Sequence, residues 1–125
     1  MEISRIRQKI GVLSKERQRL EKELLACRLP MVKGSLYQRY LRCGNSKADC
    51  RCRRGEKHGP FYYLSVLEEG KMVHQYLGTT AKTPLAKRLA RYKAFQERFR
   101  RMHQVERELE TLWNDFREGL IEARG

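Results

Sequence analysis

No apolar run in this chain of 125 residues approaches the roughly 20 that a membrane-spanning helix needs, so no membrane span is expected. The opening Met1-Glu2-Ile3-Ser4-Arg5 has no apolar stretch behind its charges, which predicts no signal peptide and a cytoplasmic location. Internal repeats and low-complexity stretches are absent. So is any recognisable nucleophile–base pairing, phosphate loop or open metal site, and catalysis is therefore not expected. Acidic residues are scarce: 15 Asp and Glu stand against 28 Lys and Arg, a net charge of +13. That surplus exceeds what solubility needs and attracts polyanions from a distance, nucleic acid first among them.

What the chain does have falls into three segments of a single domain. In residues 1–28, Ile3, Ile6, Ile10, Leu13, Leu20, Leu24 and Cys27 recur at steps of three and four, with Arg17 in the missing place. This is the seam of an amphipathic, coiled-coil-like helix, closed by Leu29-Pro30. The third segment, 83–123, opens with Thr83 as N-cap and Pro84 at the first helical position. Leu85, Leu89, Tyr92, Phe95, Phe99, Met102, Val105, Leu109, Leu112, Phe116 and Leu120 form its stripe. Each stripe needs a partner, and pairing the two helices antiparallel satisfies both.

The middle segment, 31–81, reads as strands. Phe61–Leu67 and Met72–Leu77 flank a turn at Glu69-Gly70, and Leu36–Leu41 supplies a candidate third strand. The fold class expected is therefore α+β: a long-helix hairpin carrying a small antiparallel sheet of two or three strands.

Between the strands lie Cys43, Cys50 and Cys52, followed by His58. Closely spaced thiols in a reducing compartment point to metal rather than disulfides. Three cysteines with one histidine form a common structural zinc set that leaves no open coordination position. The fourth ligand is His58 by spacing, with His74 as the alternative. Cys27 reads as a small core residue on the helix seam.

The block Gly34-Ser35-Leu36-Tyr37-Gln38-Arg39-Tyr40-Leu41-Arg42-Cys43-Gly44, then Cys50-Arg51-Cys52, then Gly55-Glu56-Lys57-His58-Gly59-Pro60-Phe61-Tyr62-Tyr63-Leu64, resembles an uncharacterised family of short basic prokaryotic proteins. The resemblance covers about residues 31–78 and implies a zinc-holding cysteine block between flanking helices. It implies no activity. Relative to that family, Ser46-Lys47-Ala48-Asp49 looks extended.

Two basic groups are expected to bind DNA or RNA, chiefly through phosphates. Arg42, Lys47, Arg51, Arg53, Arg54 and Lys57 surround the cysteines; Lys87, Arg88, Arg91, Arg98 and Arg101 lie on the long helix. The helical pairing predicted above makes the two groups neighbours. Tyr37, Tyr40, Phe61, Tyr62, Tyr63 and Tyr76 lie among these cations, where aromatics can stack on bases. Alternation along the strands predicts that about half of them are buried instead. A protein-binding adaptor is the rival function. If Cys27 lies near Leu85, the shorter helix ends at about Leu109. Leu112, Trp113, Phe116, Leu120 and Ile121 then form an exposed cluster for a homodimer or protein partner.

Overall fold

The computed structural model describes residues 2–42 and 57–124. It is α+β, with the elements α1 (Ile3–Leu25), β1 (Ser35–Leu41), β2 (His58–Glu68), β3 (Lys71–Gly78) and α2 (Pro84–Leu120). The chain divides into two compact units. One comprises Met1–Arg28 with Phe95–Gly125, the other Leu29–Ala94, so α2 contributes residues to both. Among the described residues no helix is long and apolar enough to cross a membrane.

In the first unit the two apolar stripes meet. Ile6, Ile10 and Leu20 of α1 are buried with Val105, Leu109 and Leu112 of α2, and Ile3, Leu13, Met102 and Phe116 pack against them. Each such side chain contributes about 1.5–3 kcal/mol when fully buried. Charged side chains flank this core. Arg98 meets Glu23 at 3.3 Å, Arg101 meets Glu16 at 2.7 Å, and Arg17, in the gap of the seam, meets Glu106 at 3.4 Å. The Arg7 guanidinium lies 5.3 Å from the Phe116 ring centroid, and Ile3 approaches Gly119, whose missing side chain leaves it room.

These contacts correct three expectations. The partners of α1 run from residue 98 to 119 of α2, so Cys27 does not lead the pairing at Leu85. The first turns of α2 are taken by the other unit, where Ala86 and Leu89 are buried. Leu112 is consequently 9% exposed, and Phe116 is half-buried against Arg7 and the core, so neither belongs to an uncovered cluster. Cys27 lies past the end of α1 and is exposed rather than in the core; its thiol donates to the Glu23 carbonyl at 3.6 Å.

In the second unit the strands form an antiparallel sheet of order β1-β2-β3. Glu69 (φ 50°) and Gly70 (φ 78°) make the two-residue connection of β2 to β3, in the doubly left-handed form that suits strand twist. The third strand expected at Leu36–Leu41 is present, paired to β2. The central strand β2 begins at His58, earlier than the apolar pattern suggests, and holds Pro60 where the register to β1 shifts between Arg39 and Leu41. Gly59 makes this possible: its φ is 141°, and a Cβ there would stand 2.8 Å from the Arg39 carbonyl oxygen.

Thr83 caps α2 as its sequence predicts. The Ala86 amide donates to its hydroxyl at 3.2 Å and the Lys87 amide to its carbonyl at 3.0 Å. Leu64 is the buried residue of β2, and both it and Leu89 crowd Gly34. The Val32 amide donates to the Arg88 carbonyl at 3.2 Å, and Arg91 donates to the Pro30 carbonyl at 3.1 Å, tying segment 30–32 to the start of α2.

Candidate nucleic-acid interface

Alternation along β2 divides its side chains between two faces. Leu64 faces the core with Leu89, and its cross-strand partner Leu36 shares that side. Tyr63, one residue away, must face outward, together with its partners Tyr37 on β1 and Tyr76 on β3. The rings confirm the placement. Tyr37 and Tyr63 stack with centroids 5.5 Å apart, and Tyr76 lies 5.4 Å from Tyr63 and 6.3 Å from Phe61.

The rungs on either side are polar or charged. Arg39 pairs with Phe61 and holds its guanidinium carbon 5.8 Å from the Tyr63 ring centroid, where the ring's negative face attracts it. On the other side Ser35, Ser65 and His74 share a rung, with the His74 ring nitrogen Nδ1 3.0 Å from the Tyr37 hydroxyl. Tyr63 on the central strand joins the rings, and Tyr76, on the edge strand β3, is 53% exposed. Of the remaining aromatics, Tyr40 is half-exposed beside Gly59 and Tyr62 is half-buried.

The basic residues divide by their partners. Arg42, Lys57, Lys87 and Arg88 are exposed, and none of them forms an ion pair with a described residue. Arg91 is committed to the Pro30 carbonyl. Arg98 and Arg101, also expected to contact phosphates, meet carboxylates of α1. Arg101 donates twice to Glu16, at 2.7 and 2.9 Å. That hydrogen bonding, reinforced by the cation's charge, holds the Glu16 carboxyl below its ordinary value and raises Arg101 above its own. Lys47, Arg51, Arg53 and Arg54 lie outside the described residues, as do Cys43, Cys50 and Cys52.

The two candidate histidine ligands sit in different places. His58 pairs with Leu41, on the rung where the chain leaves β1 and re-enters β2. His74 pairs with Ser65, seven residues along β2 from His58, a separation of about 23 Å at 3.3 Å per residue. Its ring is also engaged with Tyr37. Among the described residues no group of three or more His, Cys, Asp or Glu could hold a metal ion.

Arg39 and Ser65 join this face without having been expected there, and the aromatics, about half of which were expected to be buried, include three tyrosines on one outward rung. The parity of 61, 63 and 65 against 62 and 64 is visible in the sequence. Which tyrosines of three strands meet on one rung is not.

The fold and this face define a small α+β protein whose sheet carries an open aromatic and cationic surface. Residues 3–87 match the family described as Domain of unknown function (DUF6788), and the chain belongs to that family. No curated protein and no solved structure matches it.

Proposed function

We propose that this protein binds nucleic acid, mainly through phosphate contacts made by its sheet-bearing unit. The observation that carries the reading is where the charge lies. Leu29–Ala94 holds fourteen basic and four acidic residues, a net +10; the other unit holds fourteen basic and eleven acidic, a net +3. The helical unit largely neutralises itself through pairs such as Arg101–Glu16 and Arg98–Glu23. The sheet unit has no such supply of carboxylates, and its counter-charge must come from solution or a partner.

Within this reading Cys43, Cys50, Cys52 and His58 are the residues that would hold a structural zinc. Bound zinc supplies a fixed crosslink and no reaction. The position of His58 at the rung that brackets the segment between β1 and β2 favours it over His74 as fourth ligand. Arg42 and Lys57 flank the same rung and, with Lys87 and Arg88, supply phosphate contacts.

Electrophoretic mobility shift with duplex and single-stranded DNA and RNA over a salt series tests the proposal. Binding that weakens linearly in log–log form with salt is expected. No retention at low salt would overturn it.

One observation favours a second role for the helical unit. Trp113, Leu120 and Ile121 are 54%, 57% and 61% exposed at the far end of α2. These residues suit docking onto a second copy or a protein partner, although Leu112 and Phe116 do not take part.

A further inference from the structure

We infer that the open face of the sheet is a stacking platform for single-stranded RNA, with Tyr76 receiving a base. The inference deepens the nucleic-acid reading and rests on it. Phosphate contacts alone attract any nucleic acid and do not use aromatic rings. The aromatic residues here serve no core: Leu64 and Leu36 take the buried side of the sheet, and the tyrosine rung lies opposite.

Each ring on that face has a distinct part. Tyr37 and Tyr63 are stacked on each other at 16° between planes, so they satisfy one another and form a wall. Tyr76 is tilted 59° from Tyr63 and 54° from Phe61, held at its edge by both while half its surface stays open. A base lying on that open surface gains stacking that any of the four bases can supply. Arg39, exposed on the neighbouring rung, places a cation beside the stack, where the sugar–phosphate chain of a bound strand would pass.

The occupant is chosen by complementarity. A unit of net +10 repels a basic partner, gains nothing electrostatic from a neutral one and attracts a polyanion, and a polyanion with exposed π-faces is a single strand. Duplex bases are stacked on each other and cannot reach Tyr76. The Ser35–Ser65 pair adds two hydroxyls directly beside the tyrosines. These groups can both donate to and accept from a ribose 2′-hydroxyl, which DNA lacks.

Fluorescence anisotropy of the full chain with a labelled RNA of about 12 nucleotides, the same sequence as DNA, and the RNA duplex tests the inference. Tyr76→Ala should weaken single-stranded RNA about tenfold or more and leave the duplex unchanged, whereas Tyr76→Phe should restore binding to within about twofold. Ser65→Ala should narrow the difference between RNA and DNA. If wild-type protein binds none of the three, the nucleic-acid reading itself fails. Should it bind all three while Tyr76→Ala behaves as wild type on the single strand, phosphate binding stands and the platform is overturned. Equal wild-type affinity for the RNA and DNA single strands would overturn the assignment of RNA.

Discussion

At the scale of single residues, Glu16 and Arg101 make a prediction of known sign. The carboxyl of Glu16 is held below its ordinary value near 4.5 by hydrogen bonds from Arg101. A depressed folded-state value means the contribution is fully present above about pH 4.5 and is lost as pH falls through the lower folded value. Glu16→Gln should therefore lower stability at neutral pH and flatten the decline on the acid side. Thermal unfolding between about pH 3 and pH 6 reads both effects. An unchanged acid limb would show that the pair contributes nothing. The histidines make a second prediction. Protein purified without added metal should contain one zinc per chain, lost in His58→Ala and retained in His74→Ala. Elemental analysis decides it: zinc retained in the first variant and lost in the second would move the fourth ligand to β3.

Elements make their own demands. The contact of segment 30–36 with the core depends on Gly34, where an added Cβ would stand 2.9 Å from Leu64 Cδ1, 3.0 Å from Leu89 Cδ2 and 3.1 Å from the Ser65 carbonyl oxygen. Two of those atoms end flexible side chains, but the third is backbone. Gly34→Ala should destabilise the fold by about 1–3 kcal/mol through overpacking, measured by denaturant unfolding. Helix α2 bears on assembly. Trp113 and Leu120 lie outside the α1 contacts, so replacing both by Ala should leave helicity unchanged. If this end of α2 joins two copies, the double variant should sediment as a lighter species than wild type. A monomeric wild type would leave only a different protein as the partner.

For the molecule as a whole, the division of charge sets the expected behaviour. Lys87 and Arg88 are exposed in the unit that carries net +10, whereas Arg98 and Arg101 are paired in the unit that carries +3. Replacing Lys87 and Arg88 with Gln should weaken binding to all nucleic acids alike and reduce the log–log salt slope by about 2. Replacing Arg98 and Arg101 should cost stability and change the slope little. A larger loss of slope from the second pair would reverse these roles.

Much of the architecture was legible in the residue order, because it depends on local periods and local chemistry. The seam from Ile3 to Leu24, the cap at Thr83, the turn at Glu69-Gly70 and all three strands follow from spacing and from the torsional preferences of single residues. Other features depend on which distant residues meet. The start of α2 could pair with α1 or with the sheet, since its apolar stripe suits either. Burial of Ala86 and Leu89 in the sheet unit moved the α1 contacts along α2 to residues 98–119, covering Leu112 and Phe116. The same holds for the cations: Arg98 and Lys87 are alike in the sequence, and only a carboxylate arriving from another helix separates them. Composition and local pattern thus determined the elements and the surplus of positive charge. Cross-strand register alone gathered Tyr37, Tyr63 and Tyr76 on one open face, because a hydrogen-bonded ladder brings together residues that are far apart in the chain.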